Sequence, residues 1–267
     1  MLIVGERINA SIARVGEAIV AKDAAYIQRL ARRQVEQGAH MLDANASTGR
    51  GDEVEDMAWL VQTIQAAVDV PLCIDSVNPA AMEAGLALHR GRALINSVSA
   101  EPGRIERILP LVKQYSAEVI GLTVGPKGVP QTTEDRVRNA GILVAAVQQY
   151  DIPLDALYVD PSVLPVSLDT KAPLAVLEAI AQIKARYGVK LILGLSNVSF
   201  GLPARRLINR TFLVLAMMQG LEAAVLDPLD RELMATLFAA NALLGQDEFC
   251  AEYIRAFRQG RLETTTK

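Results

Sequence analysis

The chain has 267 residues, of which 51% are hydrophobic and 21% are charged, and its formal net charge is −3. This composition is typical of a globular protein with one large hydrophobic core, and it argues against a disordered chain. Lys and Arg residues are scattered among carboxylates, so we expect no nucleic-acid partner. Only three apolar residues follow Met1 before the chain becomes polar, too few for a signal peptide or membrane span. We therefore expect a cytoplasmic protein without a membrane partner.

Short apolar runs recur along the whole chain, and most of them end at a polar residue. Runs of this length, bounded by Gly, Pro and polar residues, are typical of buried β-strands. The eight predicted strands cover residues 2–5, 41–45, 72–75, 93–97, 119–124, 157–160, 191–197 and 223–227.

Longer amphipathic stretches separate these strands. Between residues 54 and 68, apolar residues recur at spacings of three and four, which places them on one face of a helix. Similar stripes predict helices at residues 24–37, 79–88, 104–115, 134–149, 173–186, 205–219 and 230–244. Strands that alternate with helices indicate a parallel sheet.

This order predicts an α/β fold, a single (β/α)8 TIM barrel, with a doubly wound open sheet as the alternative. We expect residues 1–258 to form the barrel, with a last amphipathic helix ending near Gln259. The polar C-terminal tail, residues 259–267, is expected to fray. The loops that leave the strands are longer and more polar than those that enter them. In a TIM barrel the active site is built from the loops that leave the strands.

Polar side chains stand where most of the predicted strands end. Any one of them suits a helix N-cap or a loop. Because the carboxyl ends of barrel strands converge on one cavity, however, so many together need hydrogen-bond partners that a polar ligand would supply. These predicted ring residues are Glu6, Asp43, Asn45, Asp75, Asn96, Thr123, Asp160, Asn197 and Asp227.

The ring contains carboxylates and amides but neither lysine nor histidine, which favours a neutral heterocycle with N–H donors over a phosphate. The aminopyrimidinone edge of a pterin fits, since an N–H beside an exocyclic NH2 matches one carboxylate with two hydrogen bonds. No HxxE, DxD or HExxH spacing occurs, so we expect no metal ion.

Cysteine and histidine are scarce, with two residues of each. We expect Cys73 and Cys250 to be small buried residues rather than a disulfide or zinc site. His40 and His89 each precede a predicted strand, at the end opposite Asp75. We therefore expect a structural or surface role for both histidines.

Several strings resemble the pterin-binding methyltransferases, namely the methyltetrahydrofolate:corrinoid protein methyltransferases and the folate module of cobalamin-dependent methionine synthase. They are "LIVGERIN", "LCIDS", "INS", "YVDP" and above all "GLSNVSFGLPARRLINRTFL" at 194–213. The likeness extends from residue 1 to about residue 258. It implies a TIM barrel, usually a homodimer, that moves a methyl group between N5 of tetrahydrofolate and the cobalt of a corrinoid (cobalamin) carried by a partner protein.

The resemblance also implies roles for individual residues. Asp75, Asn96 and Asp160 match residues that hold the pterin, and Asn197 matches the catalytic amide that hydrogen-bonds near N5. Arg205 aligns with an arginine on the loop beside N5. Further candidates around the ring are Glu6, Asn9, Asp43, Asn45 and Ser76.

At position 200 the branch of this family that uses a corrinoid iron–sulfur protein is expected to have a glutamine, whereas this chain has Phe200. At this position the chain agrees with the methionine synthase module. The chain has no DxHxxG string of a corrinoid-binding module and no cysteine cluster of a zinc module. We therefore expect the corrinoid to arrive on another protein, at a rim formed by residues 125–131 and 162–171. The sequence leaves both directions of transfer open.

Two other functions remain open at this point. Dihydropteroate synthase shares the barrel and the pterin pocket, but it needs cationic groups for pyrophosphate and a loop like "NVTPDSF" where this chain reads "NASIARVGEA". A non-catalytic folate-binding subunit would keep the ring of polar residues that binds the pterin but would have no turnover. Such a subunit would not need Asn197 and Arg205.

Overall fold

Eight parallel strands close into a barrel in the computed structural model, which describes residues 1–262. Each strand pairs with the next, and the last pairs with the first. The predicted TIM barrel is confirmed, and the doubly wound alternative is wrong. The strands are β1 (Leu2–Gly5), β2 (Met41–Asn45), β3 (Leu72–Asp75), β4 (Leu94–Ser99), β5 (Glu118–Leu122), β6 (Leu157–Asp160), β7 (Lys190–Gly194) and β8 (Ala223–Leu226).

Helices cover the outside of the barrel. An additional short helix, α1, forms in the loop after β1, which the sequence pattern had assigned to a loop. The helices are α1 (Ala13–Val20), α2 (Ala24–Glu36), α3 (Glu53–Gln65), α4 (Pro79–Leu88), α5 (Pro102–Gln114), α6 (Thr133–Gln149), α7 (Ala172–Tyr187), α8 (Arg205–Met218), α9 (Arg231–Leu243) and α10 (Ala251–Arg258).

Three predicted strands, β5, β7 and β8, end earlier than expected, and the difference is largest for β7. β7 was predicted to reach Asn197 but ends at Gly194, and residues 195–199 form a 3₁₀ turn. At this end of the strand, the backbone N–H of Gly194 donates a hydrogen bond to the Asp160 carboxylate, 3.0 Å away. Asn197 therefore stands on a turn above the barrel rather than on a strand.

The two-residue period of the strands explains how charge reaches the cavity. Alternate side chains point into the barrel, where an apolar layer contains Met41, Cys73 and Tyr158. Two residues further on, the inward positions are Asp43, Asp75 and Asp160. The intervening residues point outward and pack against the helices, as Leu42 and Ile74 do. β2, β3 and β6 thus change from apolar to polar on their inner faces alone.

The two histidines hold strand starts at the opposite end of the barrel. His40 Nδ1 accepts a hydrogen bond from the backbone N–H of Ile3, and His89 Nε2 accepts one from Leu72, both at 3.0 Å. Burial lowers the pKa of each imidazole, which keeps both rings neutral and able to accept. The predicted structural role of the histidines is confirmed.

The cysteines differ from each other. Cys73 is buried in the barrel as predicted, but Cys250 is exposed, so the expectation of burial is wrong there. Cys250 precedes α10 on the outer surface, where its backbone φ of 54° turns the chain into the helix.

The end of the chain follows α10. Arg261 donates a hydrogen bond to the Gln37 carbonyl (3.0 Å) and lies over the Phe238 ring. This part of the predicted tail therefore contacts the barrel, while residues 263–267 lie outside the described range. The boundary predicted after residue 258 stays a prediction. Within residues 1–262, no helix is both long enough and apolar enough to span a bilayer.

Candidate active site

A cavity of about 710 Å³ opens at the carboxyl ends of the strands. Ile120, Leu122 and Val225 supply its apolar floor, and polar side chains supply its walls. The sequence-predicted residues that line it are Glu6, Asn9, Asp43, Asp75, Asn96, Asp160, Asn197, Phe200, Arg205 and Asp227.

Three predicted residues do not line the cavity, because two of them face the outside of the barrel and the third lies behind the cavity wall. Ser76 follows the outward-facing Ile74, and its hydroxyl donates to Glu53 Oε1 (2.6 Å). Thr123 faces outward beyond Leu122, and its carbonyl oxygen accepts a hydrogen bond from Asn139 (2.7 Å). Asn45 lies behind the lining residue Asp75.

Asn45 serves the cavity indirectly, because its Nδ2 donates to Asp75 Oδ2 at 3.0 Å. Beside it, Asp43 is 2% exposed, and its Oδ1 has no hydrogen-bond partner among the described residues. Burial and the neighbouring Asp75 charge raise the pKa of Asp43 well above its ordinary value, and burial raises that of Asp75. Two carboxyls this close titrate as a pair, and burial favours a proton on the pair.

The Asp160 carboxylate is fixed by the backbone. Its Oδ1 accepts from the N–H of Ser162 (2.7 Å) and its Oδ2 from that of Gly194 (3.0 Å). Burial raises the pKa of Asp160 to about 6, although these N–H groups and the nearby Arg136 oppose the rise. The carboxyl is therefore ionised at neutral pH and oriented in advance of any ligand.

Arg136 holds the loop behind Asp160. It is fully buried and donates to the carbonyl oxygens of Pro161 (2.8 Å) and Thr132 (3.0 Å). It thereby fixes the chain segment whose Ser162 N–H binds Asp160. Nothing in the sequence pattern marks Arg136, because its role depends on a carbonyl contact across the fold.

Asn197 is exposed to the cavity, and its amide packs closely over Gly194. A Cβ placed on Gly194 would lie 2.9 Å from Asn197 Nδ2, so a side chain there would displace the Asn197 amide. Arg205 braces the turn, since its Nη2 donates to the Ser196 carbonyl (2.7 Å) and its Nε to Ser199 Oγ (3.1 Å). Arg205 thus holds the segment that carries Asn197.

Cationic side chains also line the cavity, and the ring predicted from strand ends missed two of them. Arg7 lies 3.5 Å from the Asp227 carboxylate, and Arg206 lies 3.7 Å from that of Asp230. A signal was present in the string "ARR" at the start of α8, but the strand-end pattern considered only the last residue of each strand. Other lining residues missed by that pattern are Ser11, Ser196, Asn209 and Asp230.

A family model described as "Pterin binding enzyme" matches residues 5–227. The chain belongs to this family of pterin-binding enzymes. The match confirms the resemblance inferred from "LIVGERIN" and "GLSNVSFGLPARR". It covers every strand except the first residues of β1 and includes the whole polar wall from Glu6 to Asp227.

Two curated relatives of this pterin-binding enzyme have named activities. The methylcorrinoid:tetrahydrofolate methyltransferase of Eubacterium limosum is 37% identical over 98% of both chains. The methionine synthase of Mycobacterium tuberculosis is 30% identical over 84% of this chain, which spans only 20% of that longer protein.

Solved structures share the fold. Dihydropteroate synthase of Xanthomonas albilineans, solved with indole-2-carboxylic acid and 6-chloroguanine, superimposes with a TM-score of 0.67 at 19% identity and 92% coverage of each chain. The same enzyme with 7,8-dihydropteroate gives 0.62 at 20% identity, also over 92% of each chain. Identities this low show a common barrel and no more.

Across residues 1–262, no three His, Cys, Asp or Glu side chains are grouped to hold a metal ion.

Proposed function

We propose that this chain is a methyltransferase that moves a methyl group between N5 of tetrahydrofolate and the cobalt of a corrinoid carried by a partner protein. The observation that carries the proposal is the likeness to the Eubacterium limosum methyltransferase, which extends over 98% of both chains. The cavity supports it, because its polar wall suits a pterin and its mouth is open.

The pterin headgroup binds along the wall formed by β2 to β6. Asp75 and Asp160 present carboxylate oxygens to the N–H groups of the aminopyrimidinone, and Asn96 both donates and accepts. Because the pKa of Asp43 is raised by burial and by Asp75, a proton on this pair would give one further donor to the ligand. Each hydrogen bond to a charged group contributes about 1.5–3 kcal/mol, so three or four are enough for roughly micromolar affinity.

Asn197 acts at the reacting nitrogen. N5 of methyltetrahydrofolate is a tertiary amine and a poor leaving group, so the C–N bond breaks only as N5 gains a proton or a strong hydrogen bond. The Asn197 amide donates or accepts as N5 changes protonation. Reduced cobalt is itself the nucleophile, so no side-chain nucleophile is needed, and none of the described residues that line the cavity is His or Cys.

The corrinoid protein docks over the mouth of the barrel, at residues 125–131 and 162–171. The second loop is joined to the turn that carries Asn197, since the Val166 N–H donates to the Val198 carbonyl (2.9 Å) and Ser167 Oγ to that of Phe200 (2.8 Å). Phe200 is 65% exposed beside the cavity. Replacing either loop should slow transfer to the partner more than it weakens folate binding; a larger loss of folate affinity would contradict this assignment.

No observation favours dihydropteroate synthesis over methyl transfer. The three cavity arginines could suit a pyrophosphate, but Arg7 and Arg206 are paired with Asp227 and Asp230, and Arg205 bonds to the turn. The loop after β1 folds into α1 instead of the loop expected for that enzyme. A non-catalytic folate-binding subunit would not need Arg205 to hold the turn that carries Asn197.

The homodimer and the cytoplasmic location stay predictions. An exposed apolar face on α7 and α8 gives the dimer a candidate surface, formed by Leu174, Leu207, Leu215 and Met218. A charge at Leu215 (Leu215→Glu) should convert the dimer to a monomer in light scattering. A wild-type chain that is monomeric at high concentration would contradict the prediction.

The experiment that tests the function is a methyl transfer with free corrinoid. Purified protein, 5-methyltetrahydrofolate and cob(I)alamin should give tetrahydrofolate and methylcobalamin, observed as loss of the reduced-cobalt absorbance. Formation of dihydropteroate from pterin pyrophosphate and p-aminobenzoate, with no methyl transfer, would instead support the synthase. Folate binding without either reaction would support the non-catalytic subunit.

A further inference from the structure

Glu6 is linked to the turn that carries Asn197 by a single hydroxyl group. It directly follows β1, and its carboxyl lies in the cavity wall. Its Oε1 accepts a hydrogen bond from Ser196 Oγ at 2.6 Å. Ser196 immediately precedes Asn197 in the 3₁₀ turn of residues 195–199. A proton on this carboxyl is therefore one hydroxyl away from the segment assigned to N5.

The groups around Glu6 come from three other elements. Ser196 lies on the 3₁₀ turn, Asp227 follows β8, and Arg205 begins α8; Arg7 is the next residue of its own segment. Burial raises the pKa of Glu6 to about 7, and Asp227 adds to this rise, whereas Ser196, Arg7 and Arg205 oppose it. A pKa near neutrality is the value that suits a group which must both accept and release a proton.

Methyl transfer requires such a group. When the methyl group moves onto tetrahydrofolate, N5 forms a bond to carbon and must lose the hydrogen that it carried. In the opposite direction N5 must gain one. Asp160 is unsuited to this task, because backbone N–H groups hold both of its oxygens. Asp43 and Asp75 form a pair of their own deeper in the barrel.

We propose that Glu6 stores the N5 proton of the methyl transfer, with the Ser196 hydroxyl as the relay between them. The inference rests on the function proposed above. Toward folate, the N5 lone pair forms the bond to methyl, and the cobalt–carbon bond of the methylcorrinoid substrate breaks with its electron pair left on cobalt. The N5 proton passes to Ser196 Oγ as the hydroxyl proton passes to Glu6. The reverse transfer returns the same proton to N5.

The test is the pH dependence of turnover in Glu6→Gln, with methylcobalamin and tetrahydrofolate as substrates. Wild-type kcat should rise as the pH increases through about 7, because Glu6 accepts the proton only when ionised. The Gln variant should lose this rise and about 10²-fold of kcat, while the Kd for tetrahydrofolate changes little. Glu6→Asp should restore part of the pH-dependent rise.

Two neighbouring variants test separate parts of the inference. Asp227→Asn removes a negative charge that raises the pKa of Glu6, so it should move the rise in kcat to lower pH. Ser196→Ala removes the relay itself, so it should lower kcat and flatten the rise, as Glu6→Gln does. A merely structural role for Glu6 predicts neither result.

The outcomes separate this inference from the proposed function. An active wild type whose pH profile is unchanged in Glu6→Gln would overturn the inference alone. A wild type that transfers no methyl group at any pH would overturn both. Infrared titration of the carboxyl bands, in the wild type and in Asp227→Asn, does not depend on turnover. Absence of a carboxyl that ionises near pH 7 and shifts in Asp227→Asn would also overturn the inference.

Discussion

The two ends of the barrel differ in whether their polar groups are paired within the chain. At the amino end, Glu118 lies between Arg92 (3.7 Å) and Lys190 (3.5 Å), and the two histidines accept backbone N–H groups. At the carboxyl end, the oxygen of Asp43 has no partner among the described residues, and burial raises the pKa of Glu6 and Asp160.

The difference separates stability from function. At the amino end, Glu118 and the accepting nitrogens of the two histidines have partners within the chain, so these contacts contribute to the folded state without a ligand. At the carboxyl end, carboxylates are held in a cavity where their charged forms are disfavoured. Such an arrangement reduces the stability of the ligand-free protein and is explained by a ligand with N–H donors. Variants at the two ends should therefore have different consequences.

The largest effect is expected at Asn197, at the carboxyl end. Asn197→Ala removes the amide assigned to N5 and should lower turnover by about 10²-fold or more, with a smaller loss of folate affinity. Steady-state kinetics and calorimetry of folate binding would measure the two quantities separately. Unchanged turnover would remove Asn197 from the catalytic role.

Asp160→Ala should chiefly weaken binding. Loss of one charged hydrogen-bonding group, worth about 1.5–3 kcal/mol, corresponds to an increase in Kd of roughly 10- to 100-fold. Glu118→Gln is the matched control, because it neutralises a carboxylate at the opposite end and should leave Kd unchanged. Equal effects of the two variants would contradict the assignment of the carboxyl end as the binding site.

His89→Ala should reduce stability instead of activity. The variant leaves the N–H of Leu72 without its acceptor, which lowers the free energy of unfolding by about 1–3 kcal/mol. In the wild type the folded pKa of His89 is lowered, so its contribution is present above the unfolded pKa and is lost as the pH falls. Urea unfolding at several pH values would measure both effects. A loss of folate affinity at unchanged stability would contradict the comparison.

The smallest effect is a gain of stability in Glu6→Gln. Because the folded pKa of Glu6 is raised to about 7 from its ordinary value of 4.5, the wild type loses stability as the pH rises between these values. The neutral variant should melt a few degrees higher above pH 7, since about 1 kcal/mol moves Tm by roughly 2–4 °C at this size. The difference should vanish in acid. A variant that melts lower at every pH would contradict this account of the cavity.

Sequence patterns predicted the barrel because each strand is a short apolar run and each helix has one apolar face. They located Asp43, Asp75 and Asp160, since each lies where an apolar strand run meets polar residues. Strand ends alone did not distinguish inward from outward positions, so Thr123 was included although it faces away from the cavity. Ser76, a candidate from the family resemblance, faces away as well.

The rest of the site depends on contacts between distant segments. Ser196 is 190 positions from Glu6 in the chain, yet their side chains share a hydrogen bond. Arg136 acts through carbonyl oxygens of the loop after β6, and Gly194 on β7 donates its backbone N–H to Asp160 on β6. No periodic pattern encodes such contacts, because they arise only when the barrel closes.

A crystal structure with bound 5-methyltetrahydrofolate would test the central claim most directly. We predict that the aminopyrimidinone edge lies against Asp75, Asn96 and Asp160, with N5 within hydrogen-bond distance of the Asn197 amide and its methyl group facing the open mouth. A folate bound elsewhere, or one with N5 turned away from Asn197, would contradict the claim.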